Sequence, residues 1–167
     1  SGVELQAVLN EIVDEFKSKT DEKGIYLKFE KPEKDCAIIA DREKLKSALI
    51  NIIDNAIKYT NEGGVIIKLK VENEKIEIEI KDTGIGIPPE KIKSLFESKF
   101  ERSEEAKKTA EGKGIGLYLA GQIIKYHNGK VWVESEGENK GSTFFIELPY
   151  KNDEKSAIQK SMAGDKI

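Results

Sequence analysis

The longest regular pattern of apolar positions lies between Asp41 and Thr60. Apolar side chains recur there at alternating intervals of four and three residues, which predicts an amphipathic helix with one buried stripe. On another side of this helix, Asn51, Asn55 and Lys58 follow the same spacing. Asparagine is a poor helix former, so this polar side is either a binding surface or an ordinary solvated one. The members of the apolar stripe are Leu45, Leu49, Ile52, Ala56 and Tyr59.

Shorter patterns on both sides of this helix predict the remaining elements. Periods near 3.6 indicate helices, and strict alternation indicates strands. Alternation in two neighbouring segments around residues 72–75 predicts an antiparallel hairpin with one solvated face. The predicted helices cover residues 3–20, 89–96 and 112–128, and the predicted strands cover residues 25–30, 36–40, 65–71, 76–81, 131–133 and 142–148.

The order of these elements predicts the fold class. Helix, two short strands, helix, hairpin, loop, helix and strand pair together predict an α/β two-layer sandwich, with three long helices on one face of a mixed, largely antiparallel sheet. We expect residues 1–150 to form one domain and the polar residues 151–167 to form a disordered tail. The charged segment 97–113 has weak periodicity, which predicts a mobile loop.

Charge and composition narrow the range of functions. The net charge is -3, and 28 basic and 31 acidic residues are intermixed, so no basic stripe indicates nucleic acid. No apolar run reaches the length of a membrane span, and no signal peptide opens the chain. Cys36 is the single cysteine, which fits a reducing compartment. We therefore expect a cytoplasmic domain without direct membrane contact, and leave open whether a longer parent protein is anchored.

Two glycine clusters are candidates for nucleotide chemistry. Asp82 ends a predicted strand and is followed by Gly84 and Gly86. A carboxylate there can accept hydrogen bonds from a purine amine, and the glycines let the backbone approach a flat ring, although ordinary turns share this pattern. The second cluster, at 112–116, opens a helix whose N-terminus favours phosphate. Neither cluster has the spacing of a P-loop or of a dinucleotide fingerprint.

In combination these motifs are much more specific. Asn-x-x-x-Asn-Ala-x-Lys-Tyr, Asp-x-Gly-x-Gly-Ile-Pro, a loop with aromatics, Gly-x-Gly-x-Gly-Leu and Gly-Ser-Thr-Phe follow one another along the chain. In order and spacing they resemble the N, G1, F, G2 and G3 boxes of sensor histidine kinases. The resemblance covers residues 3–150 and implies the Bergerat fold, which that family shares with gyrase-type ATPases and the Hsp90 chaperone. It also implies ATP and Mg²⁺ as ligands.

The resemblance assigns roles to individual residues. Asn55 matches the asparagine that holds Mg²⁺, and Asp82 matches the carboxylate that reads adenine. Arg102 matches a lid arginine that contacts the γ-phosphate. The positions that it assigns to nucleotide binding are Asn51, Asn55, Lys58, Tyr59, Asp82, Gly84, Gly86, Ile87, Phe100, Gly112, Lys113, Gly114, Ile115, Gly116, Leu117 and Thr143, and those that it assigns to catalysis are Asn51, Asn55, Lys58 and Arg102.

Two departures from the family pattern qualify this comparison, and one further position, Asn51, discriminates within the fold. The lid segment 97–102 lacks the proline and the second aromatic that the family more often has near Phe100, and Lys113 is unusual at its position. Asn51 stands where relatives that hydrolyse ATP or phosphorylate serine carry a glutamate. Such a glutamate acts as a general base, whereas an asparagine cannot take a proton. Asn51 therefore favours transfer to histidine, whose ring already has a free lone pair.

The only histidine, His127, lies near the predicted end of a helix, where we expect it to cap the helix. The resemblance places the phospho-acceptor on a His-bearing dimerisation hairpin of a parent kinase, outside this chain, with a response regulator downstream. It thus implies a protein-histidine kinase domain that binds ATP but does not autophosphorylate alone. Two alternatives stay open, a same-fold serine kinase of the anti-sigma type and a catalytically silent nucleotide-binding regulatory module.

Overall fold

A computed structural model of the chain describes residues 2–97 and 113–150. The predicted mobile loop, apart from its two ends, and the predicted tail lie outside these residues. The strands are β1 (Gly2–Glu4), β2 (Tyr26–Glu30), β3 (Ala37–Ile39), β4 (Gly64–Glu72), β5 (Lys75–Asp82), β6 (Lys130–Glu134) and β7 (Ser142–Pro149). The helices are α1 (Leu5–Lys23), α2 (Arg42–Lys58), α3 (Pro89–Ile92) and α4 (Lys113–Tyr126).

Five strands form the main sheet in the order β2-β4-β5-β7-β6. β2 pairs with β4 in parallel, and the other three pairings are antiparallel. β1 and β3 form a separate two-stranded antiparallel sheet. The predicted α/β class, with a mixed and largely antiparallel sheet, is confirmed.

One face of the main sheet carries the core. Ile76, Ile78 and Ile80 of β5 are fully buried, while Glu77 and Glu79 between them lie on the opposite face. The long helices α1, α2 and α4 cover the buried face, because each of them presents an apolar stripe to it. Burial of one large aliphatic side chain contributes about 1.5–3 kcal/mol, so this layer supplies most of the stability of the fold.

The other face of the sheet is largely charged and open. Lys70 pairs with Glu79 at 3.3 Å, and Lys75 pairs with Glu147 at 3.1 Å, in both cases across neighbouring strands. Such exposed ion pairs contribute little stability. Trp132 stacks on Phe145 with the ring centroids 5.2 Å apart. The solvated face predicted for the hairpin is therefore observed.

Side-chain hydrogen bonds fix both ends of α2. At its start Asp41 is the N-cap, and its Oδ1 accepts the Lys44 N–H at 3.1 Å. At its end the Lys23 ammonium donates to the carbonyls of Ile57 and Lys58 at 2.7 and 2.9 Å. Burial, followed by the repulsion of neighbouring lysines, lowers the pKa of Lys23. α2 is thus held rigidly as the helix that carries the two asparagines.

The boundaries of two elements differ from the prediction. Residues 2–4 form β1, and α1 begins at Leu5 and extends to Lys23. Three residues are too few to separate a strand period from a helix period, and it is Gly24, with φ +77°, that ends α1. The short helix α3 ends at Ile92, before the predicted limit at Phe96.

Within the described residues, no helix combines the length and the apolar character needed to cross a bilayer. Cys36 is buried beside β3, and burial is the main cause that raises the pKa of its thiol to about 11. A thiol with such a pKa stays protonated and unreactive at neutral pH.

Candidate functional site

The polar side of α2 lies beside the first turn of α4. Asn51 and Asn55 are half-buried, and Lys58 is exposed at the end of the helix. The Asn51 side-chain nitrogen donates to the carbonyl of Gly116 at 3.4 Å. A Cβ atom added to Gly116 would lie 3.6 Å from Asn51 Cγ, so the two helices approach closely at this point. The predicted asparagine side thus faces the helix N-terminus that was predicted to hold phosphate.

Asp82 ends β5 in a buried position, with 5% of its surface exposed. Its Oδ1 accepts two backbone N–H groups, from Gly84 at 2.9 Å and from Ser142 at 3.2 Å. Burial raises the pKa of Asp82, and the two N–H groups act in the opposite direction. Oδ2 accepts neither of these bonds. The carboxyl group is therefore oriented by the backbone through one oxygen, which suits the other oxygen for binding a ligand donor.

The loop that follows Asp82, residues 84–87, is fastened to the end of α2. The Ile85 N–H donates to the carbonyl of Tyr59 at 3.0 Å. A Cβ atom on Gly84 would overlap the same carbonyl oxygen and would lie 3.0 Å from Thr60 Oγ1. Only glycine therefore allows the backbone to run this close to α2. This contact holds the Asp82 carboxylate and the polar side of α2 close together.

The turn between β6 and β7, residues 135–141, holds the other side of the same loop. Gly141 N–H donates to the carbonyl of Gly84 at 3.1 Å, and Asn139 N–H donates to that of Ile85 at 2.7 Å. Gly141 has φ +72°, a conformation that favours glycine. We call residues 84–87 the base loop and residues 135–141 the clamp turn.

The described residues of the site suit a magnesium ion bound together with a nucleotide better than a metal ion held by the protein alone. No group of three or more histidine, cysteine, aspartate or glutamate residues that could hold a metal ion occurs in the described part of the chain. Asn55 offers a carboxamide oxygen, the kind of hard ligand that Mg²⁺ prefers. A magnesium ion here would need most of its ligands from phosphate and water, which is the usual arrangement in phosphoryl-transfer sites.

The structure brings together most of the predicted site residues that it describes. Asp82, Gly84, Gly86 and Ile87 line one end of the sheet next to Tyr59 and to the Asn51 side of α2. Lys113, Gly114 and Ile115 belong to the first turn of α4, and Leu117 is buried in the core behind them. Phe100, Arg102 and Gly112 lie outside the described residues, so their assigned roles stay predictions.

Thr143 is placed differently from the other predicted residues. It pairs in register with Lys81 and Glu134, whereas its neighbour Ser142 pairs with Asp82. Because successive residues of a strand face opposite sides, the Thr143 side chain lies on the open face of the sheet. The backbone N–H of Ser142, a residue without a predicted role, donates to Asp82.

Two further contacts involve Phe96, which the resemblance places among the lid aromatics, and Ser135, which none of the motifs includes. Phe96 packs edge-on against the buried Phe144 with centroids 6.0 Å apart, so it belongs to the core side of the predicted lid. Ser135 binds the base loop through its hydroxyl, which accepts the Ile87 N–H at 3.0 Å. Gly141, the glycine of the Gly-Ser-Thr-Phe motif, indicates a turn at this place in the sequence. No local pattern points to Ser135.

His127 connects the two helices of the site at their far ends. Its Nε2 accepts the Asp41 N–H at 3.0 Å, and its Nδ1 lies 2.8 Å from the carbonyl of Ile123. The imidazole therefore carries its proton on Nδ1 and satisfies a carbonyl in the last turn of α4. This is the capping role expected for it.

Fold and site together define an ATPase domain of the Bergerat type. The family model of histidine kinase-, DNA gyrase B- and HSP90-like ATPases matches residues 40–152. The chain belongs to this family, and membership implies that it binds ATP.

Named relatives point to one branch of the family. The chain is 38% identical over 147 residues to the adaptive-response sensory kinase SasA of Crocosphaera subtropica, covering 87% of this chain and 38% of that protein. It is 33% identical over 156 residues to the sensor histidine kinase WalK of Bacillus subtilis, covering 91% of this chain and 25% of that protein. The chain therefore spans well under half the length of these relatives.

A solved catalytic domain shows the same fold. The catalytic domain of the histidine kinase ThkA superposes with a TM-score of 0.77 at 30% sequence identity, covering 89% of this chain and 94% of that one. ThkA has also been solved in complex with the response regulator protein TrrA, a structure that matches with a TM-score of 0.73 at 27% identity over 90% of this chain and 42% of that one.

Proposed function

We propose that this chain is the ATP-binding catalytic domain of a two-component sensor histidine kinase, which transfers the γ-phosphoryl group of ATP to a histidine on a separate dimerisation domain. The observation that carries the proposal is the buried Asp82, oriented by two backbone N–H groups next to the Asn51 side of α2. The identity to sensor kinases over most of the chain supports it.

Asp82 is the group that selects adenine. Its Oδ1 is occupied by Gly84 and Ser142, so the exocyclic amine of adenine would donate to Oδ2. Guanine presents a carbonyl oxygen at that position, and two acceptors facing each other repel. The glycines of the base loop let the ring lie against the backbone.

The phosphates would lie between α2 and the first turn of α4. Lys58 is exposed at the end of α2 and can reach them as a cation, and the N-terminus of α4 offers N–H groups and the positive end of a helix dipole. Asn55 would hold Mg²⁺ through its carboxamide oxygen. The ion, when bound, neutralises part of the phosphate charge.

Asn51 determines what the bound ATP can react with. A general base would activate water or a serine hydroxyl, but a carboxamide does not accept a proton at neutral pH. Its nitrogen donates to Gly116, so its position is set by α4. An imidazole nitrogen needs no base, which leaves transfer to histidine as the favoured reaction.

The acceptor and the downstream partner follow from this proposal. The acceptor is a histidine on the helical hairpin of the parent kinase, and the phosphoryl group then passes to a response regulator. His127 is an unsuitable acceptor because both of its ring nitrogens are engaged in the fold. We also propose a cytoplasmic location, where ATP is abundant.

The binding half of the proposal is tested by calorimetry with ATP and GTP, each with and without Mg²⁺. We expect the wild type to bind ATP more tightly than GTP, and Mg²⁺ to strengthen the binding of ATP. The Asp82→Asn variant should lose most of the ATP affinity. The control variant Asp14→Asn removes an exposed carboxylate on α1 and should change neither the ATP affinity nor the effect of Mg²⁺. Absence of ATP binding by the wild type would contradict the proposal.

The transfer half needs an acceptor added in trans. The chain is mixed with radiolabelled ATP and a His-bearing dimerisation hairpin taken from a sensor kinase such as WalK. We expect a label on the hairpin that is lost in acid and kept in base, as a phosphorus–nitrogen bond requires, and little free phosphate without the hairpin. Rapid release of phosphate by the chain alone would contradict the role given to Asn51.

A further inference from the structure

The Ser135 hydroxyl lies at the centre of the clamp turn, directly after β6. It donates to the carbonyl of Gly141 at 2.8 Å and accepts the N–H groups of Ile87 at 3.0 Å and of Gly137 at 3.3 Å. A hydroxyl has one donor and two acceptor positions, so all three are used. Ser135 thus ties the base loop to both ends of the clamp turn.

These bonds extend to the carboxylate that reads the base. Ser135 holds the carbonyl of Gly141, and the Gly141 N–H donates to the carbonyl of Gly84 at 3.1 Å. The next N–H along the chain, that of Ser142, donates to Asp82 Oδ1 at 3.2 Å. The Ser135 side chain is therefore linked to the Ile87 N–H of the base loop and, through Gly141, to the Ser142 N–H that orients Asp82.

The base loop and the clamp turn are in direct backbone contact. Gly86 has φ +74°, and a Cβ atom added to it would overlap the carbonyl oxygen of Gly137. Asn139 N–H reaches the carbonyl of Ile85 at 2.7 Å in the same contact. Because the two backbones touch directly, a shift of the clamp turn moves the base loop with it.

We propose that Ser135 is a positioning residue that sets the affinity for adenine nucleotides by ordering the base loop, without contact to the nucleotide. The inference rests on the proposed function. Without the hydroxyl, the Ile87 N–H loses its partner, and the loop must be ordered at the time of binding. The apparent affinity then falls with the populated fraction of the ordered loop.

The test uses ADP as the probe, because its affinity depends on the base and not on the γ-phosphate. Calorimetry is performed well below the unfolding midpoint of each variant. We expect Ser135→Ala to bind ADP about five- to tenfold more weakly, which corresponds to the loss of one hydrogen bond. Ser18→Ala, an exposed serine on α1, is the matched control and should bind like the wild type.

A second pair of variants separates positioning from folding. Ser135→Thr keeps a hydroxyl, and Ser135→Val has the shape of threonine but no hydroxyl. The Thr variant should therefore bind ADP several-fold more tightly than the Val variant. In NMR spectra of the free protein, the Ile87 amide proton should exchange faster in the Ala and Val variants than in the wild type. This pair also serves if the alanine variant does not fold.

The outcomes separate the inference from the proposed function. If the wild type does not bind ADP, the proposed function fails. If the wild type binds ADP while the Thr and Val variants bind equally well, the role of Ser135 is refuted and nucleotide binding stands. A lower unfolding midpoint in Ser135→Ala with an unchanged ADP affinity would likewise reduce Ser135 to a purely structural residue.

Discussion

The replacement Asp82→Asn should weaken nucleotide binding while leaving the free protein at least as stable as the wild type. The asparagine keeps an Oδ1 that can accept the N–H groups of Gly84 and Ser142, so the local hydrogen bonds survive. The replacement changes the other atom of the group, because the acceptor Oδ2 of aspartate becomes an NH₂ donor in asparagine. Affinity and stability are therefore predicted to move in opposite directions.

The loss of affinity can be estimated from the bond that disappears. A hydrogen bond to a charged group contributes about 1.5–3 kcal/mol, which corresponds to about 10- to 150-fold in the dissociation constant. The new NH₂ group would also face the amine of adenine, donor against donor. Calorimetry with ADP should therefore show a loss at the upper end of this range.

The gain in stability depends on pH in a defined direction. Burial raises the pKa of Asp82 in the folded protein above its ordinary value of 3.8. The folded state then holds the proton more tightly, so the free energy of unfolding of the wild type falls as the pH rises through the raised pKa. Each unit of that rise corresponds to about 1.4 kcal/mol. Asparagine does not titrate, so its advantage over the wild type should be small near pH 4 and should grow as the pH rises through the raised pKa of Asp82.

Urea denaturation followed by circular dichroism at pH 4, 5.5 and 7 measures this difference. Terms common to both proteins cancel in the comparison, and Asp14→Asn controls for the removal of an exposed carboxylate. The reasoning is refuted if the Asp82→Asn protein is less stable than the wild type at pH 7. It is also refuted if the difference between the two proteins does not change with pH.

Three further replacements test residues that hold the elements of the site in position. Gly141→Ala should lower the free energy of unfolding by about 2 kcal/mol or more, because φ is +72° and the new Cβ would overlap the carbonyl oxygen of Asp82. Lys23→Met should cost about 1 kcal/mol in urea denaturation, since the last carbonyls of α2 lose a charged donor. His127→Phe should cost about 1 kcal/mol by removing the bond to Asp41, and phosphotransfer in trans should continue, which a phospho-acceptor role would forbid.

The glycine and lysine variants each have a control in the same chain. Gly2→Ala adds a Cβ to a glycine with open space around it, and Lys17→Met removes an exposed lysine from α1. Neither should change the urea midpoint appreciably. Equal losses in Lys17→Met and Lys23→Met would show that the capping bonds of Lys23 do not stabilise α2.

The long elements of the fold could be predicted because their periods are sustained. α2 repeats its apolar stripe over several turns, and Asp41, its N-cap, is of a residue type strongly preferred at that position. β1 escaped prediction because it has only three residues, and a single buried Val3 fits a strand and a helix equally well. The pairing of β1 with β3 depends on segments far apart in sequence, which no local pattern records.

The site was predictable only where its chemistry is local. Asp82 and its glycines form a compact motif, and the asparagines share one helix side. The assignment of Thr143 instead required the register of β7 against β5, and the structure shows that Ser142 is the residue opposite Asp82. Ser135 needed a contact with Ile87 across two strands and a turn.

The parallel pairing of β2 with β4 has a consequence for how this molecule folds. β4 and β5 are joined by a tight turn, so their hairpin closes quickly, whereas β2 and β4 come together only after β3 and the whole of α2 have been looped out between them. The helix that carries the asparagines is thus the crossover of a non-local contact, and β7 pairs with β5 across a still longer segment, with Ser142 opposite Asp82. We expect the ligand-binding surface to be among the last parts to assemble on the folding pathway.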